Sequence, residues 1–252
     1  MSKRRSPKSS NGRYYALAAV LGVIAIVGLV LVSGALHGQT GPSSSTTTQL
    51  TSVSGTATIS KPVILYVNQG NGVVNQSNFG ALLSTAKSHG FNTIFFQVYR
   101  TGTLLLGDSV LSQLVTSTHD HGLKIFFALY FTNTTQTIPT SIYSDGEDGI
   151  SLDMSNLPLS TQTTLFDQLS SGYSGRTAIT TLDFTLPLRP DLLVLETYAP
   201  TDQPYIRPGI IASVEVAATA SQQEYANQVQ YAVSDSDGVM VFDYHGLVKA
   251  GY

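Results

Sequence analysis

The chain has 252 residues, with 13 Lys and Arg against 16 Asp and Glu, five His, and no cysteine or tryptophan. The missing cysteines exclude disulfides and thiolate metal sites. Every acid lies at or after Asp108, so the part beyond residue 36 carries 8 basic and 16 acidic residues, a balance that argues against nucleic acid as a partner.

Residues 1–13 contain Lys3, Arg4, Arg5, Lys8 and Arg13 and no acid. An uncharged, almost unbroken apolar run follows over 14–36, long enough to cross a hydrocarbon core of roughly 30 Å as a helix. Its positive flank predicts a cytoplasmic tail over 1–13 and a signal-anchor helix that places the rest outside the cytoplasm of a single-pass membrane protein. The alternative is secretion after cleavage near Ser33-Gly34-Ala35. The apolar stretch exceeds the roughly 7–15 residues usual for a cleaved signal, which favours retention. Residues 37–60 are rich in Ser and Thr and read as a flexible linker. Residues 61–252 suit a single domain with a real core. Asn75-Gln76-Ser77 and Asn133-Thr134-Thr135 match the glycosylation sequon, in keeping with an exterior location.

Within that domain short apolar runs alternate with polar, helix-like stretches, an α/β pattern. Eight strands are expected, over Val63–Val67, Thr93–Tyr99, Lys124–Phe131, Gly149–Asp153, Ala178–Asp183, Leu192–Tyr198, Ile210–Val216 and Gly238–Tyr244. Four helices are expected between them. The first runs from Asn78 and ends at His89-Gly90, and the second from Asp108 to His121 with Gly122 after it. Asp108 or Ser109 would cap the second. A third spans 160–170 with Leu165 and Leu169 on one face, and a fourth spans 221–233.

Strand parity separates two faces. Ile211, Ser213 and Glu215 share one side against Ile210, Ala212, Val214 and Val216; Ser151 and Asp153 oppose Ile150 and Leu152; and Phe95, Gln97 and Tyr99 share a side. One face is apolar throughout, and the other turns polar toward the strands' C-terminal ends. That is the pattern of a (β/α)8 TIM-type barrel, packed inside and functional at its C-terminal mouth. Only eight residues, with Pro187 and Pro190 among them, separate Asp183 from Leu192, and 132–148 lacks a helical pattern. The barrel is therefore expected to be shortened or incomplete, with a helix lost or a strand misassigned there. An open doubly wound sheet is the alternative. No glycine-rich loop follows the first strand, which argues against a nucleotide-binding domain.

Asp153, Glu196, Glu215 and Asp243 fall at or near strand C-terminal ends, as do Asp183, Asn68, Gln97, Tyr99, Arg100, Tyr130, Tyr198 and Tyr244. Carboxylates, amides and tyrosines around one mouth are the groups needed to bind a sugar and cleave its glycosidic bond, one carboxyl protonating the leaving oxygen and a second attacking or activating water. The competing reading is that acids follow strands because loops are polar.

Asp148-Gly149-Ile150-Ser151-Leu152-Asp153-Met154-Ser155 resembles the fourth-strand signature D-G-x-D-x-D-x-E of chitinase-like glycoside hydrolases of family eighteen. Asp153 is retained, but Ser155 stands where that family has its proton-donating Glu, and Ser151 replaces the first acid of the repeat. Leu195-Glu196-Thr197-Tyr198 resembles the family's sixth-strand segment ending in Tyr, and Gly238–Tyr244 its closing strand. Phe91–Arg100 and Gly122-Leu123-Lys124-Ile125 resemble the second and third strands of a broader group of glycosidase-like barrels. The resemblance implies a divergent glycosidase-like barrel with acids on its fourth and seventh strands. Asp153 would be the acid and Glu215 or Glu196 the nucleophile or base, with Gln97, Tyr99, Arg100, Tyr130, Tyr198, Asp243 and Tyr244 against the sugar.

His119-Asp120-His121 is explained by cationic side chains at a helix's negative end, since residues two apart do not share a helix face. No metal or other cofactor is expected, and no G-x-S-x-G elbow is present. Asp235-Ser236-Asp237 reads as a turn. The expectation is a membrane-anchored extracytoplasmic glycoside hydrolase-like protein acting on a polysaccharide. Its rivals are an inactive barrel that binds surface glycans or envelope partners, and a purely structural envelope protein.

Overall fold

The computed structural model describes residues 61–69, 74, 76–144, 146–198, 200–215, 232 and 234–243. The basic tail, the expected anchor at 14–36, the linker, most of the fourth helix and Tyr244 lie outside the described residues. Among those described, no helix is long and apolar enough to cross a membrane.

The strands are β1 (Val63–Val67), β2 (Thr93–Arg100), β3 (Thr103–Leu104), β4 (Lys124–Tyr130), β5 (Gly149–Asp153), β6 (Arg176–Thr181), β7 (Leu192–Glu196), β8 (Ile211–Glu215) and β9 (Gly238–Phe242). All pair in parallel except β3, a two-residue antiparallel addition to the tip of β2. β1 bonds to both β2 and β9, so the eight long strands form a closed ring in the order β1-β2-β4-β5-β6-β7-β8-β9. The architecture is a TIM-type barrel. The ring of strands is complete, which corrects the expectation of an incomplete barrel. What is reduced is the outer layer.

Three long helices are described: α1 (Phe79–Ser88), α2 (Asp108–Asp120) and α3 (Leu159–Gly172). α1 buries Phe79, Leu82, Leu83 and Ala86, and α2 buries Leu111, Leu114, Val115 and Thr118, each set at helical spacing. Gly90 (φ 81°) and Gly122 (φ 67°) take the left-handed conformation just past the two helix ends. Gly107 occupies the N-cap of α2 and no side chain caps it; Asp108 is the first helical residue, which corrects the expected cap. Between β4 and β5 the chain makes only a 3-10 turn over Thr140–Ser144, and between β7 and β8 one over Pro200–Tyr205. Residues 182–191 contain no helix, so both strands flanking the short gap are real and the helix is absent. Asp191 holds that crossing in place: its Oδ2 accepts the Thr177 N–H of β6 at 2.7 Å, immediately before β7 begins.

Two apolar clusters lie on opposite sides of the ring. The outer one contains Ile150, Leu152, Ala212 and Val214 among many others, as strand parity requires. The inner one contains Ile64, Tyr66, Phe95, Phe126, Ala128, Ala178, Val194, Ile211 and Met240. Phe95 and Phe126 stack at 5.0 Å between centroids. Gly149 makes room for them, because a Cβ there would lie 2.2 Å from the Phe126 ring and 2.7 Å from the Arg176 carbonyl oxygen.

One irregularity changes which residues face inward. Gln97 pairs with Ala128, yet Tyr99 pairs with Leu129, so Val98 is an extra residue on β2, a β-bulge. Past it the alternation is inverted. Tyr99 turns outward, packs on Phe131 and donates its hydroxyl proton to the Thr137 carbonyl at 3.1 Å. Its expected place against substrate is thereby corrected.

Gly149→Ala should lower stability by about 1–3 kcal/mol, because the new methyl displaces Phe126 or the β6 backbone. Gly80→Ala, on an open face of α1 with nothing within 4 Å, should raise stability by roughly 0.5–1 kcal/mol. Denaturation midpoints moving in the same direction would show the inner packing to be wrong.

Candidate active site

At the C-terminal ends of the strands lies a cavity of about 240 Å³ lined by Tyr66, Asn68, Gln97, Arg100, Tyr130, Asp153, Ser155, Asn156, Glu196, Tyr198 and Phe242. Strand register sets its depth. Asp153 ends β5 opposite Tyr130 of β4 and Thr180 of β6, and Glu196 ends β7 opposite Ser213 of β8. Asp153 is only 5% exposed and Glu196 8%.

The two acids are joined through one hydroxyl. Ser155 Oγ lies 3.3 Å from Asp153 Oδ1 and 2.9 Å from Glu196 Oε1. Tyr66 donates to Asp153 Oδ2 at 3.4 Å, and Tyr198 hydrogen-bonds to Glu196. A serine has one proton to donate, so it satisfies only one carboxylate at a time. Burial, and then the charge of Glu196, push Asp153 up to about 7 against the lowering effect of its hydrogen bonds. Burial also raises Glu196, while the Ser155 and Tyr198 hydroxyls pull the other way. Burial and the nearby carboxylates hold the Tyr66 and Tyr198 phenols well above their usual range, so both remain neutral donors. At neutral pH Asp153 is thus poised between acid and base, beside a carboxyl group held by hydrogen bonds. That is the asymmetry acid–base chemistry requires.

Of the residues singled out from sequence, Asp153, Glu196, Asn68, Gln97, Arg100, Tyr130 and Tyr198 line the cavity. Glu215 and Asp243 are not among its lining residues. Glu215 pairs with Phe242, two positions beyond the level of Glu196, or about 7 Å farther along the strand direction. Burial, and then the charge of Asp243, raise its proton affinity. Tyr244 lies outside the described residues. Asp183 folds back onto its own loop, accepting from the Thr185 N–H and hydroxyl at 2.8 and 2.7 Å. Four contributors were not selected from sequence: Tyr66, Ser155, Asn156 and Phe242. The alternation of Ile64 and Tyr66 on β1, continued by Asn68 just past it, carries the signal for the first.

The His119-Asp120-His121 segment lies at the other end of the barrel. His119 Nε2 meets Asp148 Oδ2 at 2.9 Å, where Asp148 also accepts the Ile125 N–H, and His121 Nδ1 bonds the Ser117 carbonyl. Among the described residues no group of three or more His, Cys, Asp or Glu is placed to hold a metal ion.

No family model matches the chain, and no curated protein matches it. Solved structures do. A GH113 β-mannanase from Alicyclobacillus acidocaldarius is 10% identical, with a TM-score of 0.52 over 74% of this chain and 88% of that one. A second GH113 β-1,4-mannanase is 11% identical, with a TM-score of 0.51 over 73% and 87%. A xylanase and α-amylase inhibitor protein, XAIP-III, is 11% identical, with a TM-score of 0.50 over 75% and 95%. At these identities the likeness establishes the barrel fold, one shared by glycoside hydrolases and by a protein that inhibits them.

Because Asp153 titrates near 7 in the fold against 3.8 ordinarily, its protonated form favours the folded state. That contribution is full below about pH 4 and is lost as pH rises through 7, a change of the order of 4 kcal/mol. Asp153→Asn stays neutral throughout. Its melting temperature relative to the parent should therefore rise by several degrees between pH 4 and pH 8. A constant difference across that range would mean that Asp153 is not desolvated.

Proposed function

We propose that this chain is a membrane-anchored, extracytoplasmic glycoside hydrolase that acts on a polysaccharide, with Asp153 as general acid and Glu196 as nucleophile. The observation that carries this reading is the Asp153–Ser155–Glu196 bridge in a polar cavity at the barrel mouth. Contact of both with the one Ser155 hydroxyl puts the facing carboxyl oxygens no more than about 6 Å apart. That is closer than the roughly 6.5–9.5 Å that leaves room for a water in inverting enzymes, and it suits the retaining geometry.

In the first step Asp153 gives its proton to the glycosidic oxygen as that oxygen leaves, and a Glu196 oxygen bonds the anomeric carbon. In the second step the Asp153 carboxylate takes a proton from water, the water oxygen displaces Glu196, and the sugar leaves with its configuration retained. Glu215 is assigned the outer rim, where its charge favours the protonated state of its neighbours. The anchor rests on the basic tail and the apolar run over 14–36. An exterior site also suits a polymer that does not cross a bilayer.

A specific observation favours a second reading, a barrel that binds glycans without cleaving them. Ser155 occupies the place of the proton-donating Glu in the family-eighteen pattern.

Release of reducing sugar by the full chain in detergent micelles, from a panel that includes mannan, separates the two. Turnover should fall at least about 10²-fold in Asp153→Asn and in Glu196→Gln, and less than about tenfold in Glu215→Gln. The rate should decline above pH 7 as Asp153 loses its proton, and on the acid side as Glu196 gains one. Saturable binding without turnover supports the second reading. For the anchor, the full chain should sediment with membranes and resist carbonate extraction, whereas residues 37–252 should not. Release of the full chain by carbonate would remove the anchor from the assignment.

A further inference from the structure

We propose that the cleft takes an anionic glycan, whose carboxylate or sulfate substituent is held by the Arg100 guanidinium. The inference rests on the glycan-cleft reading above and names the class of substrate that reading leaves open.

By strict alternation from Phe95 and Gln97, Arg100 would point at the helices. The extra residue at Val98 turns it into the cavity instead. Its backbone is fixed on both sides, opposite Tyr130 of β4 and Thr103 of β3, and the next N–H, of Thr101, donates to the Tyr130 carbonyl at 3.2 Å. Its guanidinium carbon sits 5.7 Å from the centre of the Tyr130 ring, a cation–π contact that holds the charge over the cavity.

Among the described residues no carboxylate pairs with the Arg100 guanidinium. This is not for want of acids in the same cavity. Asp153 and Glu196 are both there, but Asp153 sits two strands away across Tyr130 with its oxygens bonded to Ser155 and Tyr66, and β2 and β7 stand four strands apart in either direction around the eight-strand ring. Ring geometry therefore keeps Glu196 on the wall facing Arg100.

A half-buried guanidinium carries five N–H donors and a charge that loses water on ligand entry. Sugar hydroxyls compensate this poorly. An anionic oxygen pair does so well, because it matches the planar fork and forms charge-assisted bonds. Neutral hydroxyl recognition is already provided for by Asn68, Gln97 and Tyr130 beside it. The cleft thus carries its cation on β2 and Glu196 on the facing wall, with Asp153 two strands from Arg100 at the level of Tyr130. It suits a sugar whose acidic substituent points away from Glu196. The proton that Asp153 retains near neutral pH reduces the repulsion such a ligand meets.

The test is binding of the full chain in detergent micelles to a polyuronide, a sulfated galactan, and the uncharged mannan and galactan, at low and high salt. At least one anionic polymer should bind tenfold or more tighter than the uncharged ones at low salt, with the preference shrinking as salt rises. Arg100→Gln should remove at least tenfold of that affinity, and Arg100→Lys should restore part of it. Melting temperatures close to the parent's confirm that both variants fold; if Arg100→Gln does not, the parent's own preference and the Arg100→Lys loss decide. Preference for the polyuronide alone identifies a carboxylate, preference for the sulfated galactan alone a sulfate ester, and equal preference a charge-only contact. Binding of uncharged polymers as tight as that of both anionic ones, or a preference that survives Arg100→Gln, overturns the proposal. Sugar release measured on the same panel keeps the two readings apart. Arg100-dependent anionic binding without release sinks the hydrolase and keeps this inference. Release from uncharged polymers only does the reverse.

Discussion

Hydrogen bonding of β1 to β2 on one side and β9 on the other turns eight strands into a ring, and every inward side chain then shares one narrow interior. Bulk must be met by absence, as where Gly149 yields to Phe126. Apolar residues such as Ile64, Phe95 and Met240 fill the N-terminal half, so the polar inward residues collect at the opposite end. The proton affinity of Asp153 follows from that crowding. It is a carboxyl group at the last position where the ring still excludes water, next to another acid that the same ring brings toward it.

Ser155 sets the character of the cluster. An acid at this position would put a third carboxylate against two that already repel. A hydroxyl supplies a single proton to be shared between Asp153 and Glu196, so the pair stays close while differing in how tightly each holds hydrogen. Tyr66 and Tyr198 add donors that do not ionise. The resulting site contains charge in a form that reorganises little, which is the condition for electrostatic preorganisation.

The barrel was legible because parity is robust wherever a strand is regular: Ile150 and Leu152 against Ser151 and Asp153 needed nothing beyond the period of two. It failed at β2, where Gln97-Val98-Tyr99-Arg100 reads as unbroken alternation and only the pairing with β4 reveals the extra residue. Tyr and Arg are both amphipathic, so neither side chain betrays the inversion. The stretch from Asp183 to Leu192 left open whether a helix or a strand was missing, since crossover length states what is usual and not what Asp191 can replace with one hydrogen bond to Thr177. The choice between Glu196 and Glu215 was illegible for a related reason. Sequence shows that each acid ends a strand, but height along the barrel depends on register, and register placed Glu196 beside Ser155 and Glu215 farther out.

A ring without ends also has a colloidal meaning. An open sheet exposes a row of unpaired N–H and C=O groups along its outermost strands, onto which a neighbouring chain can zip. Here the long strands have no outermost member, and among the described residues the sole unpartnered edge is β3, two residues long and set beside a turn that contains Gly102. Copies of this domain held side by side at high density have almost nothing to template intermolecular sheet growth. The fold thereby tolerates crowding that would drive a flat sheet of the same composition toward fibres.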